Sequence, residues 1–460
     1  MQDLIYLRTQ TFHFRKKIII ALVVVCLLLI GVLIILAFIL SGSSTEKSAE
    51  ENDPDVDYNY DPSSGGGGGS APSSAPPPPP TPGGPTPPPS PTVTTTTHIP
   101  HNFIMCTVGA TFRYDDRYQS AKCDYFIFDS IFPTNSGFIG SEDQHAWNAF
   151  KHMTWTGNPK PEFGVSFPGK YIDDLTDQIF GKSAEDLNDL LAKGYRSFGV
   201  LNCFGTATLL SRPNGGPFGT LFAKIFNSMT ASQRKAGLKT FFVGLHLSAG
   251  STAQSSALMR SAANINHLNL LILQTHITPL PAVTSSPCFI YPTASWSQTP
   301  IKNSSYSSVQ RAAQMFSAAS STDLYFGISF SLRANFYQLS STATSTSAGY
   351  TRPCLSSISG DFKTACNQIR NYFALPESTD CTHGAFDTTR KYSHTYTAQP
   401  CMNTLYNKTS QEVQYSPRLG VLLVDVNMDN VECQHWSGWQ RLQRVKIMSD
   451  LLLGLRRANP

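Results

Sequence analysis

The chain has 460 residues, a formal net charge of +4 and only 14% charged residues. Beyond the N-terminus no Lys/Arg block forms an electrostatic footprint, so a nucleic-acid partner is not expected. Length alone would allow two or three domains, but the first hundred residues cannot bury a core, which leaves one large domain.

Residues 1–17 form a short tail that ends in Arg15, Lys16 and Lys17. Ile18–Leu40 then runs for 23 residues without a charge. A run of that length spans a bilayer, whereas the apolar core of a cleaved signal peptide is shorter. The basic residues before it place the tail in the cytoplasm and the rest of the chain outside, which predicts a single-pass type II protein of the plasma membrane. Residues 41–101 begin with an acidic stretch holding Tyr58 and Tyr60, then become rich in Gly, Pro and Thr. Such a composition buries little apolar surface and predicts a disordered linker, with O-glycosylation and tyrosine sulfation as open questions.

From Asn102 the texture changes. Eight short apolar runs recur: Phe103–Val108, Tyr125–Phe128, Phe163–Phe167, Phe198–Leu201, Phe241–Leu247, Leu268–Leu273, Leu324–Phe330 and Val421–Val426. Helical patterns lie between or after them, at Ala184–Ala192, Phe218–Ser228, Thr252–Ala263, Ser307–Ala319 and Trp436–Leu453. Strands alternating with helices imply a parallel sheet with right-handed crossovers, and eight such units close into a TIM (β/α)8 barrel over 102–460. The competing open sheet lacks a Gly-rich phosphate turn here. About ninety residues separate the last two runs. With Cys354, Cys366, Cys381 and Cys401 inside it, this stretch reads as a disulfide-stapled subdomain inserted at about 338–415.

Ten cysteines are present, Cys26 within the apolar run and nine in the C-terminal part. No Cys-x-x-Cys or other metal-ligand spacing occurs, and neither a metal nor a cofactor is expected. An extracellular head would pair most of the nine and leave one thiol over, with Cys203 the first candidate. The chain has no Gly-x-Ser-x-Gly elbow, no His-Glu-x-x-His and no dinucleotide fingerprint. Asn303-Ser-Ser305 and Asn407-Lys-Thr409 are N-glycosylation sequons in predicted loops.

Four features together resemble glycoside hydrolase family 18, the chitinases and chitinase-like lectins, in a divergent form close to membrane-anchored arthropod proteins. Cys106 and Cys123 fall on the first two strands, where that family often carries a bridge. The inserted subdomain lies where the family carries one. Gly420–Asn430 resembles the family's last strand and its acidic turn, and Ser166-Phe-Pro-Gly169 resembles its third-strand Ser-x-Gly-Gly. The resemblance implies a Cys106–Cys123 disulfide. It also implies a fourth strand reading Asp-x-x-Asp-x-Asp-x-Glu, whose Glu protonates the leaving oxygen while the substrate acetamide acts as nucleophile.

Here Gly194–Gly205 holds no carboxylate, and the degenerate positions are Asn202 and Cys203. The family's sixth-strand Met-x-Tyr-Asp becomes Leu273-Gln-Thr-His276, and its platform Trp falls near Val424. The expectation is therefore a head that does not hydrolyse chitin. A candidate pocket remains at the strand ends: Asp129, His246, His276 and Asp425. The two histidines with Asp129 read either as an acid–base or metal set, or, more commonly, as hydrogen-bonded residues closing the barrel top. Cys203 reads as a nucleophile only beside a histidine, and otherwise as a small buried hydrophobe. Three functions follow: an inactive surface domain binding carbohydrate or a cell-surface protein, a hydrolase with a rebuilt site, and a structural surface protein without a ligand.

Overall fold

In this computed structural model the described residues are 99–140, 143–203, 210, 212–235, 239–246, 252–277, 288–297, 308–319, 322–344, 348–366, 372–374, 382–433 and 440–458. The tail, the apolar run 18–40, most of the linker, Cys381 and the Asn303 sequon lie outside them. Among the described residues no helix is long and apolar enough to cross a membrane.

Eight parallel strands close a barrel in chain order: β1 Ile104–Val108, β2 Tyr125–Phe128, β3 Glu162–Pro168, β4 Ser197–Cys203, β5 Thr240–His246, β6 Leu268–Gln274, β7 Tyr325–Ser331 and β8 Leu419–Val424. Each runs as nearly continuous apolar sequence because parallel strands under a helical layer are buried on both faces. Period-two alternation sorts the two faces. Phe103, Met105, Tyr125, Ile127, Leu201, Phe242, Leu270, Ile272, Leu422 and Val424 fill the barrel interior. Ile104, Phe126, Val165, Val200, Val243, Leu273, Ile328 and Val421 pack outward against the helices.

Large rings inside a narrow barrel need glycine opposite them. A Cβ on Gly199 would lie 2.2 Å from the Phe242 ring, and one on Gly420 would lie 2.3 Å from Phe103. Ile99 joins this interior cluster. Arg456, on the last helix, donates to the carbonyls of His101 and Asn102 and pairs with Asp124, so the domain begins a few residues before Asn102.

The predicted helices Ala184–Ala192 and Thr252–Ala263 appear with those bounds, and the fourth-unit helix gains Pro217. Ile172–Lys182 and Gln144–Lys151 were not anticipated; their apolar stripes are short and interrupted by loop-like polar residues. The last helix starts at Gln443; the expected start at Trp436 lies outside the described residues.

The insertion has different bounds from those expected. An antiparallel sheet begins at Ala334–Gln338, directly after β7, and its last strand ends at Thr397. Gln399–Glu412, assigned to the insertion from sequence, is instead a barrel helix packed on Val309–Ala318 and the C-terminal helix. Its Cys401 belongs to the barrel. The cysteines do not staple the insertion to itself either: Cys288–Cys354 and Cys366–Cys433 tie it to barrel loops after β6 and β8. Cys106–Cys123 bridges β1 to the start of β2. Asn407 is exposed, but on that barrel helix rather than in a loop, and Thr409 of its sequon is buried and donates to the Leu405 carbonyl.

Candidate functional site

The C-terminal ends of the strands converge on one polar layer. Asp129 directly follows β2. Its Oδ1 accepts from Ser166 Oγ of β3 at 2.5 Å, and its Oδ2 accepts from Asn202 Nδ2 of β4 at 3.3 Å. Asn202 is held in turn by Gln274 at the end of β6: Gln274 Nε2 donates to Asn202 Oδ1 at 3.0 Å, and the Asn202 backbone N–H donates to Gln274 Oε1 at 2.8 Å. Four strands thus share one hydrogen-bonded chain.

Asn202 reaches the mouth because β4 is irregular there. The register with β5 shifts between Val200 and Cys203, and Asn202 takes a left-handed backbone with φ of 58°. Asparagine tolerates that conformation better than most residues, and a bulge re-aims the side chain that follows it. Leu201 still packs inside the barrel, while Cys203 returns to the outer, helix-facing layer. Cys203 is 1% exposed, and Gly169 lies against it so closely that a Cβ there would be 2.5 Å from its sulfur. The nucleophile reading of Cys203 fails on this geometry, because its side chain faces away from the mouth. It takes part in none of the three disulfides.

His246, ending β5, and His276, following β6, face each other with ring centroids 5.5 Å apart. Ser329 Oγ accepts from the Thr275 N–H at 2.8 Å and is hydrogen-bonded to His276 Nδ1 at 2.7 Å. Burial, together with the nearby Arg333 charge, pushes His276 down to about 4, and burial plus His276 holds His246 well below the usual histidine range. Both rings are therefore neutral at physiological pH.

Asp425, just after β8, is ion-paired with Arg333 (Nε to Oδ2 2.6 Å, Nη2 to Oδ1 3.4 Å), and its backbone N–H donates to Thr107 Oγ1. Gly109 separates this pair from Asp129: a Cβ there would lie 3.0 Å from Asp425 Oδ1 and 2.7 Å from the Asp129 carbonyl oxygen. Among the described residues no group of three His, Cys, Asp or Glu is placed to hold a metal.

All four candidate pocket residues thus lie at one end of the barrel, in two sets, Asp129 with Asn202 and Asp425 with Arg333, and a histidine pair beside them. Sequence reasoning assigned no role to Ser166, Gln274, Ser329 or Arg333. Three of them occupy the inward parity near a strand's C-terminal end, and Arg333 follows two residues after Ser331; that parity was the available signal. Val424, where the family's platform Trp would fall, packs inside the barrel.

The rim carries aromatic surface. A hairpin after β2, Ile131–Thr134 with Gly137–Gly140, brings Phe132 against Tyr171, which follows β3; their rings meet edge-to-face at 4.8 Å, and Tyr171 is 37% exposed.

No protein-family model and no curated protein matches the sequence. Solved structures do match the fold. A class V chitinase from Nicotiana tobaccum superposes with a TM-score of 0.53 at 11% identity, over 76% of this chain and 99% of its own. An immunomodulatory active chitinase from Trichuris suis gives 0.53 at 12%, over 76% and 100%. Human YKL-39, described as a pseudo-chitinase with retained chitooligosaccharide binding properties, gives 0.53 at 12%, over 77% and 100%. The domain has the chitinase fold. At these identities the likeness extends to the fold alone, and both active and inactive proteins share it.

Proposed function

We propose that this is a chitinase-type barrel that binds carbohydrate at its mouth without hydrolysing it, displayed on the cell surface by the N-terminal anchor. The observation that carries the reading is the occupancy of the mouth carboxylates. Asp129 accepts a hydrogen bond on each oxygen and Asp425 is clamped by Arg333, so in this arrangement both act as acceptors. Glycoside cleavage needs a carboxylic acid that hands a proton to the leaving oxygen. β4, the strand that supplies that acid in the resembling family, presents Asn202, which has no acidic proton. What remains partly exposed at the strand ends is the Asn202 amide and the His246 imidazole, backed by buried Gln274, Ser166 and His276, with aromatic surface on the same rim, a chemistry suited to holding sugar hydroxyls. Retained chitooligosaccharide binding in human YKL-39 supports the same ligand class.

Glycan-array binding by residues 99–460 tests the reading. Binding to chitooligosaccharides that is lost in Asn202→Trp supports it, and an array without any glycan bound rejects it. The anchor is tested separately. Protease treatment of intact cells should remove the head and leave a small membrane-bound stub; a head protected inside the cell rejects surface display.

A further inference from the structure

The three disulfides among the described residues differ in how far a reagent in solution can reach them. Cys106, Cys123, Cys366 and Cys433 are at most 7% exposed, and each is packed in a hydrophobic cluster. Cys288 and Cys354 are only half-buried. Cys354 stands within residues 351–355, where its four neighbours are all exposed, and it lines a surface groove of about 510 Å³ with Leu339, Ser340 and Pro353. Thiol–disulfide exchange starts with a thiolate attacking a disulfide sulfur, so access to that sulfur governs its rate. Buried structural bridges resist exchange, and exposed ones are the labile ones.

The accessible bridge also holds a segment that reaches the mouth. Residues 288–297 follow β6 in the chain. Cys288 and Phe289 pair antiparallel with Cys354 and Pro353, and the Ile290 N–H donates to the Arg352 carbonyl at 2.9 Å. Further along, the Thr293 carbonyl accepts from the N–H of Ile277 at 2.8 Å. Ile277 directly follows His276, and its own carbonyl accepts from Asn335 Nδ2 of the insertion at 3.1 Å. The backbone beside His276 is therefore gripped by the segment that the Cys288–Cys354 bridge anchors.

We propose that Cys288–Cys354 is a thiol–disulfide exchange site for a dithiol reductant of the thioredoxin class, and that its opening loosens the backbone beside His276. One thiolate of the reductant attacks Cys354 Sγ. A bond forms between those two sulfurs, the Cys288–Cys354 bond breaks, and Cys288 leaves as a thiolate that takes up a proton. The second thiol of the reductant loses its proton and attacks the reductant's own sulfur in the mixed disulfide. Cys354 is released as a thiolate and is protonated in turn. Two electrons and two protons pass from the dithiol, which ends as a disulfide, to the bridge, which ends as two thiols. Cys366–Cys433 stays closed and keeps the insertion attached to the barrel.

The test uses the full-length chain in detergent. A thioredoxin whose second cysteine is replaced by serine stalls at the mixed disulfide, and peptide mass spectrometry should map its covalent complex to Cys354. With intact thioredoxin and its reductase, alkylation should label Cys288 and Cys354 at least about tenfold faster than the cysteines of the other two bridges. Amide hydrogen exchange at Ile277 should then become at least about fivefold faster. The Val421 amide, which donates to the Phe103 carbonyl within the barrel, should be unchanged. None of these readouts depends on a sugar ligand, so they stand apart from the reading of the mouth. No covalent complex, a complex at any other cysteine, or equal labelling of the three bridges overturns the proposal. So does unchanged exchange at Ile277, or equal acceleration at Val421, which would mean that reduction unfolds the domain rather than releasing one segment.

Discussion

The two ends of the barrel treat their carboxyl groups in opposite ways. At the mouth, Asp129 and Asp425 have both oxygens engaged, by Ser166 and Asn202 and by Arg333. At the base, Glu162 sits mostly buried at the start of β3, accepting hydrogen bonds from the hydroxyls of Ser197 and Thr240. Burial pushes its carboxyl up to about 7, against the partial relief of those hydroxyls and of Arg196 and Lys239. The carboxyl group tuned as a proton donor near neutral pH therefore lies at the base. In barrels of this type the base serves stability and chemistry is built at the C-terminal face. A shifted titration identifies a catalytic acid only when it occurs where substrate can reach it.

The contrast can be broken most severely just behind the mouth. Asp429 and Arg444 form an ion pair with both side chains fully buried. Arg444 also donates to the carbonyls of Leu332 and Thr397, at the entry and exit of the insertion, and lies 4.0 Å over the Phe362 ring. Arg444→Ala leaves Asp429 charged and unpaired in the interior and should cost about 3–5 kcal/mol in urea unfolding. Arg333→Ala, at the partly exposed mouth pair, should cost about 2 kcal/mol. A ranking in the reverse order would mean that the insertion is not held through Arg444.

Glu162 gives the next largest effect, with a defined sign. Its folded value is raised above the unfolded one, so the folded state binds more protons between about pH 4.5 and 7. Its contribution therefore destabilises the fold progressively as pH rises through that window, and the penalty is complete above it. At about 1.4 kcal/mol per pH unit the full penalty is on the order of 3 kcal/mol. Glu162→Gln should accordingly raise stability at pH 8 by up to that amount and leave it nearly unchanged at pH 4. Equal urea midpoints for the two proteins at pH 8 would remove the carboxyl from the account of the base.

Asn202→Ala should have the smallest effect on stability, about 1 kcal/mol, the low end of the cost of leaving the buried Gln274 amide without its partner, since Asn202 itself is only partly buried. Its larger effect should be on sugar binding. Calorimetry with chitotetraose would detect a loss of affinity in Asn202→Ala, whereas an unchanged affinity would place the sugar elsewhere on the domain.

Much of the fold was legible in the sequence. The eight buried runs became the eight barrel strands, mostly within two residues, since parallel strands buried on both faces leave a strong local signal. The Cys106–Cys123 bridge followed from the resemblance and is present. The insertion's bounds were not legible. The apolar stripe of Gln399–Glu412 is weak beside its polar content, and cysteine density suggested internal staples where the bridges run to barrel loops. At the site, residue types were visible and their orientation was not. Counting along β4 put Asn202 and Cys203 on equal footing, and only the irregularity after Val200 separates the one that reaches the mouth from the one that packs behind it. The Arg333–Asp425 pair joins residues 92 positions apart, which no local pattern encodes.

Binding of a chitooligosaccharide at the mouth without cleavage can be followed in a single sample. The most direct measurement is proton NMR of the protein with excess chitotetraose, recording saturation transfer to the sugar and the appearance of new reducing ends in one sample. The account predicts saturation transfer that disappears in Asn202→Trp, with no reducing ends formed above a protein-free control. New reducing ends that vanish in Asp129→Asn would contradict it.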